Sequence, residues 1–159
     1  MRFWGLLLSL SLAGCGHSRA RVQREEGADF SHLRRFGVPA FTDPRGQGAL
    51  IADRVSDALQ KKMYDVVDRK TLEEILAKYK PNSRLGLGAE ALQSIQTQTS
   101  ADAIVFGRMA GDGSGAVITI VEMEMGQPVA RAFIVPRKKT FADPEEIASE
   151  IARVIAGLR

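Results

Sequence analysis

The spacing of apolar residues predicts short strands that alternate with amphipathic helices from Phe30 onward. Residues 36–41 form an apolar run that ends in a Thr-Asp-Pro turn, as a strand does. Pro39 is expected near the end of this strand or at a sheet edge, because it lacks the N–H that a ladder requires. The next apolar residues recur at helical spacing and predict a helix after Gly48. They are Leu50, Ile51, Val55, Ala58 and Leu59.

A second strand and two more helices are predicted in the middle of the chain. Residues 63–68 form a short β-rich run, and the helix that follows has an apolar stripe at positions i, i+3, i+4 and i+7. This stripe consists of Leu72, Ile75, Leu76 and Tyr79. Thr71 and Glu74 have the spacing of a capping box, and Pro81 is expected to stop the helix. Residues 81–88 then predict a surface loop before a third helix, whose apolar positions are Leu92 and Ile95.

Three strands are predicted in the second half of the chain. The continuous apolar run at 103–106 is typical of a strand that is buried on both faces. Residues 117–125 alternate between an apolar face and a face that becomes charged towards the end, which predicts a second strand. Gly126-Gln127 suits a tight hairpin turn into a partner strand at 129–135.

The last helix has the clearest start signal in the sequence. Asp143 is predicted as its N-cap, Pro144 occupies the first helical position and Glu146 follows three residues after the cap. The apolar stripe of this helix is Ile147, Ile151, Val154, Ile155 and Leu158. Together the elements predict a single α/β domain over residues 30–159, with the order β-α-β-α-α-β-β-β-α and helices packed on a mixed β-sheet.

The first 14 residues have the layout of an export signal. Met1-Arg2 is a short positive segment, and residues 3–12 supply about ten mostly apolar positions, roughly half of what a membrane-spanning helix needs. The segment ends in Leu12-Ala13-Gly14-Cys15, which resembles the lipobox of bacterial lipoproteins. The resemblance implies that a signal peptidase recognises Leu12, Ala13 and Gly14. Cys15 would then become the N-terminus, with a diacylglycerol on its sulfur and an acyl chain on its amine that anchor it to a membrane.

Residues 15–29 are predicted to form a flexible tether between this anchor and the domain. The segment is polar and charged and has no apolar periodicity. Fully extended, it spans at most about 50 Å. Gly16 and His17 lack an aspartate retention signal after the cysteine, which favours the periplasmic face of the outer membrane.

Composition narrows the classes of partner. Cys15 is the only cysteine, so the sequence offers neither a disulfide framework nor a CxxC metal motif. The formal net charge is +3, the basic residues are dispersed, and only ten residues are aromatic. Nothing resembles a stacking platform along a basic groove, so no nucleic-acid partner is expected.

One glycine pattern has the outline of a dinucleotide fingerprint. Gly46 and Gly48 lie between a strand and a helix, and Asp68 follows at the end of the next strand. Ile51 occupies the third glycine position, however, and an exported protein meets little intracellular cofactor. A turn before an exposed helix start is therefore the preferred interpretation, and no cofactor is expected.

The remaining ionisable residues give no catalytic or metal-binding constellation. Glu73-Glu74 and Glu145-Glu146 are adjacent in sequence, but neighbouring helical residues point about 100° apart, and first-turn acids favour the helix dipole. His17 lies in the predicted tether and His32 at the start of the domain, with no nucleophile evidently paired with either. We therefore expect no catalytic residue and no metal site.

The segment 131–139 leaves two interpretations open. It ends in Arg137-Lys138-Lys139, the densest basic run in the chain, and could place a basic strand end near anionic lipid headgroups or wall polymer. A solvated strand end is the preferred interpretation.

Several short motifs resemble one family of bacterial lipoproteins. They are FGVPAFTDPRGQGALIADRVSDAL, YDVVDRKTLEEIL, TSADAIVFGRM and a hairpin around MGQPV. Together they resemble the CsgG-type lipoprotein superfamily over nearly all of residues 30–159. The resemblance implies a periplasmic protein attached to the outer membrane, without catalytic activity. Members include the curli secretion channel, activators of penicillin-binding proteins and flagellar accessory lipoproteins.

The sequence departs from two of these relatives in ways that narrow the expected role. Channel members contribute two transmembrane hairpins per subunit, about forty residues of strand that this chain does not have to spare. Activators that reach the inner membrane have a long tether, whereas about fourteen residues follow Cys15 here. We therefore expect a non-catalytic assembly, scaffolding or accessory factor that binds envelope proteins, with self-association left open. The alternative is an envelope enzyme or small-ligand receptor with an unrecognised pocket.

Overall fold

A six-stranded mixed sheet with helices on both faces forms the core of the protein. The structure is a computed structural model, and it describes residues 19–79, 87–136, 140–141 and 143–159. The strands are β1 (Arg19–Arg24), β2 (Arg35–Gly37), β3 (Asp65–Val66), β4 (Ala103–Met109), β5 (Ala116–Glu122) and β6 (Pro128–Val135). The helices are α1 (Gly48–Lys61), α2 (Arg69–Leu76), α3 (Ala89–Thr99) and α4 (Pro144–Ala156).

The strands lie in the order β1-β6-β5-β4-β2-β3. β2 pairs in parallel with β3 and β4, whereas the pairs β4–β5, β5–β6 and β1–β6 are antiparallel. The predicted single α/β domain with a mixed sheet is confirmed, and the predicted element order holds from β2 onward. In the described part of the chain, no helix combines the length and the hydropathy that crossing a membrane requires.

The prediction of a flexible tether over residues 15–29 is wrong for residues 19–24, which form β1. Arg19 lies opposite Val135 and Arg24 lies opposite Ala130 in an antiparallel ladder with β6. The sequence of β1 is RARVQR, and its two apolar residues, Ala20 and Val22, pack against the main core. Ala20 and Val22 are small and the other four residues are polar, so the composition of β1 is that of a linker.

The main core lies between one face of the sheet and the helices α1 and α4, which pack against each other. Ile51, Val55 and Leu59 of α1 are almost completely buried there, as the apolar stripe predicts. Leu50 is an exception, with 44% of its surface exposed. It lies on the outer side of α1, so its predicted place in the apolar stripe is wrong.

A second, smaller core lies on the opposite face of the sheet. Leu72 and Ile75 of α2 and Ile95 of α3 pack there on Ile104 of β4. Gly37 of β2 allows the Leu72 side chain to pack closely on the sheet, because a Cβ atom at that position would lie only 3.0 Å from it. Helices α2 and α3 therefore cover the part of this face that β2 and β4 form.

The helix starts differ from the prediction at α2 and agree with it at α4. Asp68 is the N-cap of α2 and accepts hydrogen bonds from the N–H and the hydroxyl of Thr71, at 2.8 and 2.9 Å. The predicted capping box at Thr71 and Glu74 is wrong because the helix begins two residues before Thr71. Asp143 caps α4 as predicted, accepting from the Glu146 N–H at 2.8 Å.

The bounds of three strands differ from those that the sequence pattern predicts. β2 stops at Gly37, and Pro39 follows it in the chain. β3 begins after Met63, which has a left-handed backbone with φ of 66° and leaves α1 in a turn. β5 stops at Glu122, and a longer turn over 123–127 replaces the predicted two-residue hairpin turn. The predicted loop at 81–88 and the stop at Pro81 lie mostly outside the described residues.

Candidate functional site

In the described part of the chain, no helix packs over one part of the sheet. Ala130, Ala132 and Ile134 of β6 point into the main core, so the alternate residues of β6 point to the opposite face. Helices α2 and α3 cover that face only near β2 and β4. The uncovered residues, which we call the basic face, are Arg19, Arg21, Gln23, Arg108, Val117, Arg131, Phe133 and Val135.

The strand register arranges these residues in rows across the sheet. Arg21 lies opposite Phe133, which lies opposite Val117, which in turn lies opposite Arg108. Arg131 occupies the next row, between Gln23 and the buried Thr119. Basic residues therefore surround an apolar centre in which Phe133 is 38% exposed and Val135 is 50% exposed.

The basic face carries a concentration of positive charge. It contains four arginines and no carboxylate. None of the four takes part in an ion pair among the described residues. Positive charge that has no partner on its own surface favours an anionic binding partner.

Beside the basic face lies the open edge of β1. The Glu25 N–H donates to the Val129 carbonyl at 3.0 Å, and residues that bond to the neighbouring strand alternate along an antiparallel strand. The N–H groups of Ala20, Val22 and Arg24 therefore point away from β6. Within the described part of the chain no strand pairs with them. Such an edge can accept an extended segment of another chain.

The predicted anchor lies close to this edge in sequence. Cys15, its recognition residues Leu12, Ala13 and Gly14, and His17 all fall outside the described residues. Cys15 precedes Arg19 by four residues, so their Cα atoms are at most about 15 Å apart. A lipid on Cys15 would hold the start of β1 close to the membrane surface.

The glycine pattern that resembles a dinucleotide fingerprint has a structural explanation. A Cβ atom at Gly48 would lie 1.8 Å from the Phe41 carbonyl oxygen, so glycine is required there by close backbone packing. Gly46 has a φ of 74° and lies in a turn. The Asp68 carboxylate, which would bind a ribose in such a fingerprint, is occupied as the cap of α2. These contacts support the preferred interpretation of a turn before a helix.

Asp43 organises the loop between β2 and α1. Its carboxylate accepts hydrogen bonds from the backbone N–H of Arg45 at 3.1 Å and of Gln47 at 3.0 Å. Burial disfavours the charged form, but these bonds outweigh it and the pKa of Asp43 is lowered from its ordinary value. The ionised carboxylate thereby fixes the turn that leads into α1.

The other acidic residues considered in the sequence mostly hold elements together. Glu73 accepts from the Ala40 N–H at 3.0 Å and pairs with Arg69, which also binds Asp53 of α1 at 2.8 Å. Hydrogen bonds to Asp53 and then to Glu73 raise the pKa of Arg69. Glu145 lies 3.7 Å from Arg54 in a looser, exposed pair.

His32 has a partner that the sequence did not indicate. Its Nε2 lies 2.8 Å from the Oε1 atom of Glu122, at the end of β5. The pair connects the segment after β1 with the end of β5. Among the described residues, no group of three or more His, Cys, Asp or Glu side chains is placed to hold a metal ion.

The concave sites in the described part of the molecule include two small ones. One, of about 150 Å³, lies where α1 and α4 begin, and its polar residues are Arg45, Gln47 and Asp143. Arg45 and Asp143 are already occupied, by Asp43 and by the α4 cap. The other, of about 10 Å³ beneath Tyr64, has room for about one water molecule. Both are smaller than the roughly 300 Å³ that small-molecule sites usually offer.

The sequence revealed only part of the basic face. Arg131, Phe133 and Val135 belong to the segment in which a basic strand end was considered, whereas Arg137-Lys138-Lys139 lies outside the described residues. The sequence pattern places Arg19 and Arg21 in the predicted tether, and it links Arg108 to no other residue of the face. The alternation of arginine with Ala and Val in RARVQR was the one available signal.

Comparison with solved structures shows that the fold is a known one. A PelC dodecamer from Paraburkholderia phytofirmans is similar over 89% of this chain and 97% of its own, with a TM-score of 0.53 and 14% identity. The LpoB C-terminal domain from Escherichia coli is similar over 70% of this chain and 90% of its own, with a TM-score of 0.50 and 14% identity. TolB from Acinetobacter baumannii has a TM-score of 0.51 at 11% identity over 89% of this chain, which spans 31% of the TolB chain.

These likenesses show a shared fold. No family model matches the chain, and no curated protein matches it.

Proposed function

We propose that this protein is a non-catalytic accessory factor of the bacterial envelope, anchored by lipid on Cys15 to the periplasmic face of the outer membrane. It acts through protein–protein contacts in the assembly or scaffolding of an envelope process such as secretion, flagellar assembly or cell-wall synthesis. We further propose that it belongs to the CsgG-type lipoproteins, because its motifs resemble theirs and its fold is shared with PelC and the LpoB C-terminal domain.

The open edge of β1 is the observation on which this proposal mainly rests. The edge offers the outward N–H groups of Ala20, Val22 and Arg24 to an extended partner segment. β1 begins four residues after Cys15, so the lipid anchor would present this edge beside the membrane. A partner that adds a strand there would be a neighbouring envelope protein or a second copy of this chain.

Self-association is one form that such contacts can take. PelC, with which the fold is shared, forms a dodecamer. An open strand edge provides a contact that a neighbouring copy can extend in the plane of the membrane. We therefore propose that homo-oligomer formation is one of the uses of this edge.

The experiment is affinity capture from crosslinked envelopes, with mass spectrometry of the captured proteins. The native protein is compared with Ala20→Pro, which removes an outward N–H of β1 and leaves the bonds to β6 intact. Leu50→Ser is the matched control, because Leu50 is exposed on α1, away from β1. Cys15→Ala tests the contribution of the anchor.

We expect the native protein and Leu50→Ser to capture the same envelope proteins or further copies of this chain, and Ala20→Pro to lose them. Capture that is unaffected by Ala20→Pro would contradict docking at the β1 edge. Capture of nothing specific, together with a small molecule that co-purifies, would favour the alternative of a ligand receptor.

A further inference from the structure

We infer that the basic face rests on the anionic phospholipid headgroups of the membrane that holds the anchor, and so fixes the orientation of the domain. This inference rests on the proposed lipidation of Cys15. It adds a second membrane contact and assigns it to Arg19, Arg21, Arg108, Arg131, Phe133 and Val135.

The charge of the face matches a lipid surface. None of its four arginines forms an ion pair among the described residues. Each basic residue near an anionic membrane strengthens binding by about fivefold. Arginine also donates several hydrogen bonds in a fork that fits phosphate oxygens. A bilayer presents many phosphates in one plane, so several arginines of the face can bind phosphates at the same time.

The apolar centre of the face matches the interfacial layer beneath the phosphates. Phe133 and Val135 are among the few large apolar residues of the described chain that are substantially exposed. Aromatic and aliphatic side chains insert at the headgroup boundary, while the arginines that flank them remain with the phosphates. Arg21 and Phe133 lie opposite each other, so this row provides a contact to phosphate and an apolar contact side by side.

The length of chain before β1 places the face at the membrane. Arg19 belongs to the face, and its Cα atom lies at most about 15 Å from that of a lipidated Cys15. A domain held this closely cannot move far from its bilayer, so the first basic residue of the face stays near the headgroups.

The test measures how deeply the face enters the bilayer of anchored protein. The full chain is purified from membranes with its anchor, in a Trp4→Phe background so that uncut precursor adds no signal, and reconstituted into vesicles with brominated acyl chains. Phe133→Trp reports from the basic face and Val135→Trp from a second position on it. Leu50→Trp is the control. Leu50 is also partly exposed, but it lies on α1, which packs on the other face of the sheet from the basic face.

In vesicles that contain phosphatidylglycerol, we expect quenching and a blue shift of the tryptophan fluorescence from positions 133 and 135, and neither change for the tryptophan at position 50. In phosphatidylcholine alone, or in high salt, the quenching should fall. Arg19→Gln combined with Arg21→Gln should remove most of it. Equal quenching on both sides of the domain, or none at any of the three positions, would overturn the inference.

A separate measurement distinguishes failure of the anchor from failure of the basic face. Flotation with phosphatidylcholine vesicles reports the lipid anchor, because neutral lipid gives the arginines little attraction. Flotation without quenching at position 133 would leave the anchor intact and overturn the inference. Crosslinking of position 133 in cells to a protein, with no lipid contact, would also overturn it.

Discussion

Arg21 of β1 lies directly opposite Phe133 of β6, on the side of the sheet that α1 and α4 do not cover. The pair joins a segment near the proposed anchor to the last strand of the sheet. It exists only because residues 19–24 form a strand. The position of β1 therefore determines both the open edge and the extent of the basic face.

Proline substitutions at adjacent positions test the direction of the β1 hydrogen bonds. Ala20→Pro removes an N–H that points to the open edge, so we expect a loss of less than about 1 kcal/mol in the free energy of unfolding. Arg21→Pro removes an N–H that bonds to β6, and should cost roughly 2 kcal/mol more. Urea denaturation measures both, and equal losses would contradict the assigned register.

The Arg69 network should contribute more to stability than a looser surface pair. Arg69 bonds to Asp53 at 2.8 Å and to Glu73 at 3.1 Å, joining α1 and α2. We expect Arg69→Ala to lower the free energy of unfolding by about 1.5 kcal/mol. Arg54→Ala is the control, because its partners lie 3.7 Å away, and it should cost less than about 0.5 kcal/mol. Similar losses in urea unfolding would show that the shorter contacts add nothing.

Gly46, in the turn before α1, and Gly48, the first residue of α1, should respond differently to alanine. A Cβ atom at Gly48 would collide with the Phe41 carbonyl, so Gly48→Ala should cost about 3 kcal/mol of stability. Gly46 has open space around it and only its positive φ opposes a side chain, so Gly46→Ala should cost about 1 kcal/mol. Thermal unfolding distinguishes them, and a tolerated Gly48→Ala would contradict the close packing of α1 on this loop.

The cap of α2 should make stability depend on acidic pH. Hydrogen bonds from the Thr71 N–H and then its hydroxyl lower the pKa of Asp68 below its ordinary value of 3.8. Because the folded pKa is the lower one, this stabilisation is present above pH 3.8 and is lost as the pH falls below it towards the folded value. Asp68→Asn keeps a capping oxygen but cannot titrate, so its stability should fall less steeply there.

A second variant checks the cause of the Asp68 shift. Thr71→Val keeps the carboxylate and the backbone donor but removes the hydroxyl bond. Its unfolding curves at acidic pH should therefore lie between those of the native protein and Asp68→Asn. An unchanged pH dependence in both variants would contradict the assignment.

The regular elements of this fold could be predicted from sequence because they depend on local periodicity. The apolar stripes of α1 and α4 coincide with their buried faces, apart from Leu50. The run at 103–106 lies in a strand that is buried on both sides. The signal at Asp143 placed the start of α4 correctly, since proline and a capping carboxylate act together there.

The parts that could not be predicted depend on distant residues. β1 has only Ala20 and Val22 to bury, and what makes it a strand is the ladder with β6, far away in sequence. The same pairing brings Arg19 and Arg21 beside Arg131 and Phe133. No local pattern in the sequence joins Arg108 to them, because that contact passes through β5.

Lipidation of Cys15 is the claim on which both proposals rest, and the intact mass of the membrane-extracted protein tests it most directly. The account predicts a chain that begins at Cys15, has lost the 14 residues before it, and has gained the mass of a diacylglycerol with an amine-linked acyl chain. Cys15→Ala should accumulate uncut and without lipid. A native chain that begins elsewhere, or that has no lipid on Cys15, would contradict the account.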